Sequence, residues 1–223
     1  GSHVTGFANM VKGMVDYFAT ADGHKENRLN IIPGYVEPCD MAEIRRLAGD
    51  TGVRVIGPNC VGIHSPAAGF SFAPDFPHET GHVSCLCQSG GNAIYLVRLA
   101  AERGIRFSKA ISYGNACDVD ESDLFEFLLE DDETELVTAY IEGVKDGERF
   151  QEVLNRLATR KPVVVLKGGA TREGARTASS HTSSLAGSDR VWSAVLEQTG
   201  AVRVNTLYEL VDMMVTFRFL RPP

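Results

Sequence analysis

The chain has 223 residues, of which 43% are hydrophobic, and a formal net charge of −7 at pH 7. This length and apolar content allow one large domain or two small ones with buried cores, and an acidic chain without a basic run argues against nucleic acid or an anionic membrane surface as a partner. No apolar stretch approaches the ~18 residues that a membrane span needs and no signal peptide is recognisable, so we expect a cytoplasmic protein.

Helices and strands alternate in the first part of the chain. Apolar spacing and capping residues predict four elements there: a helix over 7–19, a strand over 28–32, a helix capped by Asp40 that runs to about Ala48, and a strand over 53–56. Residues 64–80 contain prolines and two histidines with little periodicity. We interpret this segment as a linker or domain boundary.

The second part of the chain alternates more regularly. Strands are predicted over 82–87, 107–112, 136–141, 162–166 and 202–204. Helices are predicted from Gly91 to about Gly104 and over 121–129, 149–158, 189–198 and 207–217, with Asp120 or Ser122 as a cap of the second. Strands separated by helices imply a parallel sheet with right-handed crossovers. Residues 81–223 are therefore predicted to form a flavodoxin-like, doubly wound α/β domain.

The five cysteines are scattered, and we interpret them as reduced thiols of a cytosolic protein. A zinc site built from His78, His82, Cys85 and Cys87 is the alternative for the closest group. The spacing does not match a usual structural zinc pattern, and residues 83–87 have the composition of a buried strand. We therefore expect no metal site.

His181 lies in a run of small polar residues between the strand that ends near Leu166 and the helix that starts near Asp189. Loops of this kind carry the chemistry of open α/β sheets. An imidazole beside hydroxyl donors such as Ser180 and Thr182 is typical of a nucleophile or an acid–base group. A surface histidine in a polar loop is an equally weighted alternative on the local sequence alone.

Two further segments follow strands of the same predicted sheet and would share its carboxyl edge with His181. Ser89, Gly90 and Gly91 start a helix, where glycines and unpaired N–H groups favour a phosphate; a plain tight turn is the alternative. Glu142 ends an apolar strand, where packing does not require a carboxylate. If the Glu142 carboxylate accepts the Nδ1–H of the imidazole, Nε2 is left free as a nucleophile. Without the other two segments, the alternative is that Glu142 is a solvated residue at a strand end.

Residues from about Val53 to Phe219, three quarters of the chain, resemble the NDP-forming acyl-CoA synthetases, which are related to the succinyl-CoA synthetase α subunit. The matching segments include 57–63, 88–91, 102–109, 114–120, 140–143 and 175–188. The resemblance implies that His181 carries a phosphoryl group, that Glu142 orients it, that residues 89–91 face it, and that Asn59 and Cys60 lie near the CoA thiol. This chain has Ser183 where the family usually has glycine.

The resemblance also implies the reaction and its partners. Acyl-CoA and phosphate give acyl phosphate and CoA, His181 takes the phosphoryl group and releases the acid, and phospho-His181 phosphorylates ADP. The nucleotide and Mg²⁺ would be bound by an ATP-grasp β subunit or domain. In this scheme CoA and phosphate are the ligands of the chain itself, and complete turnover by the chain alone is not expected.

The first 52 residues depart from this family. The family starts with a Rossmann domain whose early glycine-rich turn holds CoA, and no such turn precedes Gly57. Residues 1–18 and 29–36 instead resemble the nitrogenase β subunit, without a recognisable cluster-binding cysteine arrangement. Residues 1–80 are therefore predicted to form a partial Rossmann-like, CoA-binding-type domain. An engineered or recombined chimera without catalytic activity is the first alternative. A regulatory CoA-binding module is the second, although such modules often lack the histidine.

Overall fold

The structure is a computed structural model, and it describes residues 28–34, 38–169 and 189–220. The helix predicted over 7–19 lies outside these residues. So do three of the predicted site residues, Ser180, His181 and Thr182. The other six predicted site residues are described, and the fold that positions them is an α/β arrangement with two sheets.

The smaller sheet consists of two parallel strands, β1 (Arg28–Ile31) and β2 (Val53–Ile56), connected through helix α1 (Pro38–Thr51). The prediction that Asp40 caps this helix is wrong, because the helix starts at Pro38 and Asp40 lies in its first turn. Proline suits a first helical position, since its fixed φ is already helical and its missing N–H would have no partner there.

The larger sheet has six strands in the order β3-β5-β4-β6-β7-β8. Its strands are β3 (Gly62–His64), β4 (Val83–Cys87), β5 (Phe107–Ser112), β6 (Leu136–Ile141), β7 (Val163–Lys167) and β8 (Val202–Val204). All neighbours pair in parallel except β3, which pairs antiparallel with β5. The sequence analysis missed β3, which lies at the start of the proposed linker and joins the larger sheet although it precedes residue 80.

Among the described residues, five helices cover the two faces of the larger sheet: α2 (Gly90–Glu102), α3 (Glu121–Leu129), α4 (Gly147–Ala158), α5 (Asp189–Thr199) and α6 (Leu207–Phe219). The buried side chains of α3, α4 and α5 form one core and those of α2 and α6 form another. The predicted doubly wound, flavodoxin-like fold is thus confirmed. Within the described segments, no helix has both the length and the apolar character of a bilayer span.

Asp120 caps helix α3 through a reciprocal arrangement. Its side chain accepts from the backbone N–H groups of Ser122 and Asp123, and the Asp123 carboxylate accepts from the Asp120 N–H at 3.1 Å. This capping box satisfies donors that the first helical turn leaves unpaired. Of the two caps that the sequence analysis considered, Asp120 is the one present.

The described cysteines are packing residues. Cys60, Cys85, Cys87 and Cys117 are free thiols with buried side chains. Burial raises the pKa of Cys85 to about 12, so its thiol is neutral at physiological pH. Cys85 and Cys87 belong to the core beneath α2 and α6. In the parts of the chain that the structure describes, no group of histidine, cysteine or carboxylate side chains is arranged to hold a metal ion.

Glu121, at the start of α3, is a buried carboxyl group whose pKa is raised to about 8 by burial and by the neighbouring charge of Asp120. The unfolded chain loses this proton near its ordinary pKa of 4.5, whereas the folded chain keeps it up to about pH 8. Stability contributed by this group therefore falls as the pH rises through that interval. We expect Tm to drop more between pH 5 and pH 8 in the wild type than in Glu121→Gln, as measured by thermal unfolding. Parallel pH profiles would contradict this.

Candidate functional site

The carboxyl edge of the larger sheet brings two of the three predicted site segments together. Strand β6 lies between β4 and β7, so Glu142, which follows β6, has Gln88 on one side and Gly168 on the other. Ser89, Gly90 and Gly91 follow Gln88 directly. Strand β7 ends at Lys167, and Gly168 and Gly169, the last described residues before the segment that contains His181, follow it at this same edge.

Helix α2 presents its N-terminus at this edge. Ser89 is the N-cap, and its hydroxyl oxygen accepts from the Asn92 N–H at 3.4 Å. The N–H groups of Gly90 and Gly91 belong to the first turn and have no partner within the helix. Gly91 is exposed, and no atom lies within 4 Å of the position where its Cβ would be. This end of the helix therefore offers donors and a partial positive charge to an anion.

The turn over residues 57–61 packs directly against the start of α2. A Cβ on Gly90 would lie 2.9 Å from the Val61 Cγ1 atom and 3.8 Å from the Cys60 carbonyl carbon. Gly90 therefore has no space for a side chain, and its lack of one allows the close approach. The two segments that the resemblance assigns to phosphate and to CoA are adjacent.

Asn59 and Cys60 occupy this turn in different ways. Asn59 adopts a left-handed conformation with φ 58°, its N–H donates to the Gly34 carbonyl at 2.9 Å, and its side-chain amide lies 3.4 Å from the Asn115 Oδ1 atom. Cys60 is buried, and its thiol lies 3.5 Å from the Ile32 carbonyl oxygen. Burial raises the pKa of this thiol to about 12, so it is neutral and packs as an apolar group.

The backbone at Glu142 is bonded by side chains from both neighbouring strands. The Gln88 Oε1 atom accepts from the N–H groups of Glu142 at 2.6 Å and Gly143 at 3.1 Å. The Lys167 ammonium donates to the carbonyl oxygen of Glu142 at 2.6 Å and to that of Gly168. The sequence analysis missed both residues. Lys167 could have been identified as a charged residue at the end of an otherwise apolar strand, because a buried charge needs hydrogen-bond partners.

The Glu142 side chain shares its surroundings with Tyr140, Cys87 and Lys167. A Cβ on Gly168 would lie 2.6 Å from the Tyr140 hydroxyl oxygen and 3.1 Å from the Glu142 Cγ atom, so glycine is the residue that fits between them. Burial raises the pKa of Tyr140, and the negative charge of Glu142 raises it further. Burial lowers the pKa of Lys167, and the same carboxylate opposes that shift. The Glu142 carboxylate therefore interacts electrostatically with both groups.

A cavity of about 600 Å³ lies between α4 and α5, next to this edge. It is lined by residues 144–148, Phe150, Gln151, Val191, Trp192 and Val195. The Lys167 ammonium stands 5.4 Å from the centre of the Trp192 ring. Of the six predicted site residues that the structure describes, none lines this cavity.

Comparison with known proteins finds relatives for the part of the chain that contains this site. The sequence profile of the succinyl-CoA ligase-like flavodoxin domain matches residues 80–217. An ADP-forming acetate–CoA ligase of Methanocaldococcus jannaschii is 41% identical over 177 residues, which are 78% of this chain and 25% of that protein. The α subunit of ADP-forming acetate–CoA ligase II of Pyrococcus furiosus is 40% identical over 175 residues, 78% of this chain and 38% of that subunit.

A solved structure with the same fold is the dinucleotide-forming acetyl-coenzyme A synthetase 1 of Ca. Korarchaeum cryptofilum in complex with phosphate and ADP. It superposes with a TM-score of 0.75 and 31% sequence identity, over 82% of this chain and 41% of that one. The chain thus spans well under half the length of the relatives that it matches.

A short stretch of the chain also matches a nitrogenase subunit. The molybdenum-iron protein β chain of Clostridium pasteurianum is 60% identical over 47 residues, 21% of this chain and 10% of that one. The similarity noted in the sequence is therefore present, but it covers a small part of either protein.

Proposed function

Because this chain belongs to the succinyl-CoA ligase-like flavodoxin domain family, we propose that it is the phosphohistidine domain of an NDP-forming acid–CoA ligase. The family and the relatives in the preceding comparisons support a CoA ligase fragment. The observation that carries the finer proposal is the convergence of Glu142 and the N-terminus of α2 at one sheet edge, beside the residues that lead into the His181 segment.

The proposed chemistry consists of three transfers. A phosphate oxygen attacks the thioester carbonyl of acyl-CoA, the carbon–sulfur bond breaks, and CoA leaves as acyl phosphate forms. The His181 Nε2 atom attacks the phosphorus of the acyl phosphate, and the carboxylic acid leaves as its carboxylate. A terminal oxygen of NDP then attacks the phosphorus of phospho-His181, which regenerates the imidazole and gives NTP. Each step is reversible.

Glu142 and α2 have separate roles in this scheme. The Glu142 carboxylate accepts the Nδ1–H of His181, which selects the tautomer with a free Nε2 and offsets the positive charge of the phosphorylated ring. The N–H groups of Gly90 and Gly91 donate to the phosphoryl oxygens, with Ser89 as the cap that holds the first turn. Ser180 and Thr182 supply hydroxyl donors to the same phosphoryl group.

CoA is proposed to approach from the turn over residues 57–61. This turn contacts Gly90, so a thioester held there would reach the phosphate at α2 without a long movement. Asn59 presents a partly exposed side chain, and Cys60 forms the packed base of the turn. We propose that the nucleotide and its Mg²⁺ bind to an ATP-grasp partner and that the reaction takes place in the cytoplasm. Complete turnover by this chain alone is not expected.

The experiment that tests the proposal is phosphorylation with acetyl phosphate labelled with ³²P. The purified chain is incubated with the label, and the adduct is tested for lability in acid and stability in base. Mass spectrometry of the digest then locates it. We expect an acid-labile adduct on the peptide that contains His181, and discharge by ADP when a family ATP-grasp subunit and Mg²⁺ are added. No adduct, or an adduct elsewhere, would overturn the proposal.

Glu142→Gln is expected to lower the rate of this labelling by about 100-fold, as loss of a positioned acid–base partner usually does. The amide keeps the size of the side chain but removes the charge that stabilises the ring cation. The measurement is a time course of label incorporation at saturating acetyl phosphate. A matched control is Glu130→Gln, an exposed glutamate at the C-terminal end of α3, away from the capping box. Equal rates for Glu142→Gln and the wild type would remove Glu142 from the scheme.

The second candidate is a recombined or engineered chain in which the α/β fold persists without catalysis. The observation that favours it is the short match to the nitrogenase β chain alongside the ligase relatives. It predicts cooperative unfolding together with a complete lack of the acid-labile adduct.

A further inference from the structure

Gln88 makes a contact that the ladder of the sheet does not require. Its side chain is 4% exposed, and a single carbonyl oxygen accepts from two consecutive N–H groups, those of Glu142 and Gly143. The parallel pairing of β4 with β6 ends at Cys87 and Tyr140. The Gln88 N–H donates to the Tyr140 carbonyl at 3.0 Å, and the Gln88 side chain extends the connection between these strands to residues 142 and 143.

Lys167 bonds the same residue from the opposite side. Its ammonium donates to the Glu142 carbonyl oxygen at 2.6 Å and stands over the Trp192 ring. The Glu142 N–H, the Glu142 carbonyl and the Gly143 N–H are thus all bonded to buried side chains. Because these groups flank one Cα atom, their bonds fix φ and ψ at Glu142, and with them the direction of its Cα–Cβ bond.

We propose that Gln88 is a positioning residue that aims the Glu142 carboxylate, with Lys167 as the opposing support. This inference rests on the proposed role of Glu142. Gln88 also directly precedes Ser89, the N-cap of α2. One residue therefore couples the glutamate to the helix end that is proposed to hold the phosphoryl group, and keeps the distance between them constant.

The geometry separates this role from ordinary packing. A residue needed only to fill space would not require a carbonyl oxygen aimed at two amides, and a methionine would have nearly the same size. Removal of that oxygen leaves two buried N–H groups without their partner, which releases the Glu142 backbone locally. Misplacement of a reacting group by about 1 Å is enough to lower a rate by about 100-fold.

Four titratable groups lie within electrostatic range of Glu142, on β4, β6 and β7 and just after β5. They are Cys87 at the end of β4, Tyr113 after β5, Tyr140 on β6 and Lys167 on β7. None of these is altered by substitution of Gln88. A change in labelling after that substitution therefore reports the position of Glu142 rather than the loss of a charged neighbour.

The test compares Gln88→Met with Thr138→Val. Thr138 lies in the middle of β6, and its hydroxyl donates to the Ser84 carbonyl at 2.9 Å, so its replacement also removes one buried hydrogen bond from the same strand. Two quantities are measured for each variant: the amide hydrogen exchange of residues 142 and 143 by NMR, and the rate of labelling by acetyl phosphate.

We expect Gln88→Met to accelerate exchange at these two amides and to slow labelling by about 10- to 100-fold. Thr138→Val should change neither. In a Glu142→Ala background, Gln88→Met should alter the labelling rate by less than about 2-fold, because the two substitutions act through one group. If Gln88→Met does not fold, Gln88→Asn is used instead. Its side chain is one methylene shorter, so its amide oxygen lies farther from the two N–H groups, and we expect faster exchange and slower labelling as for Gln88→Met.

Three results would overturn the inference: unchanged exchange at residues 142 and 143, unchanged labelling despite faster exchange, or equal slowing of labelling with and without Glu142. Failure of the proposed function gives a different result, because the wild-type chain itself would then not be phosphorylated by acetyl phosphate. In that case the exchange measurement still decides whether Gln88 holds the Glu142 backbone.

Discussion

His181→Ala is expected to abolish the acid-labile phosphoryl adduct completely. In the proposed scheme this imidazole is the one protein group that bonds covalently to phosphorus, so no neighbouring residue substitutes for it. The expected change is larger than that for Glu142→Gln, because Glu142 assists a transfer that His181 itself performs. The measurement is incorporation of label from acetyl phosphate after prolonged incubation.

A matched histidine is available as a control. His82 precedes β4 at the amino edge of the sheet, its side chain is about half exposed, and it lies 3.6 Å from a carboxylate oxygen of Glu135. His82→Ala is expected to retain the full adduct. Equal labelling of His181→Ala and His82→Ala would show that the phosphoryl group is carried elsewhere, and the proposed function would then be wrong.

Gly114→Ala is expected to destabilise the fold by about 3 kcal/mol or more. Gly114 has φ +56°, and a Cβ there would lie 2.1 Å from the Pro58 carbonyl oxygen and 2.5 Å from that of Asn59. The turn over residues 57–61 would have to move away. It would then strain two backbone hydrogen bonds, from Asn115 to Pro58 at 2.8 Å and from Cys117 to Gly57 at 2.9 Å. Urea unfolding monitored by circular dichroism measures the loss.

The control for this substitution is Gly147→Ala at the first position of α4. No atom lies within 4 Å of a Cβ there, and the backbone conformation is one that alanine adopts readily. We expect no loss, or a gain of about 0.5 kcal/mol from the smaller entropy of the unfolded chain. If both alanine variants unfold at the same urea concentration as the wild type, the contact between Gly114 and the turn does not stabilise the protein.

Periodicity was enough to predict most elements of the larger sheet. The predicted bounds of β5, β6, β8 and α3 agree with the structure, because each contains regularly spaced apolar residues and is bounded by turn residues or a cap. Strand β3 escaped prediction because its sequence, Gly-Ile-His, contains a single aliphatic side chain and shows no alternation, whereas the equally short β8 has two valines on either side of an arginine. Its pairing is supplied by β5, which is distant in sequence, so tertiary contact decides its conformation.

The site was predictable where it follows from topology. Parallel strands place their carboxyl ends at one edge, which is why Ser89 and Glu142 were expected to meet. The contacts of Gln88 and Lys167 were not predictable in the same way, because they depend on which backbone groups lie opposite each side chain. The burial of Cys60 could not be predicted from the sequence either, because it depends on contacts with residues 32 and 56.

The lengths of the two outermost strands have a consequence for self-association. In the described part of the chain the larger sheet ends in β3 and β8, which have three residues each, whereas the inner strands have five or six. An edge this short offers few unpaired N–H and carbonyl groups to a strand from another molecule. The longer inner strands β4, β5, β6 and β7 each have a neighbour on both sides, and edge-to-edge growth of this sheet into aggregates is therefore disfavoured.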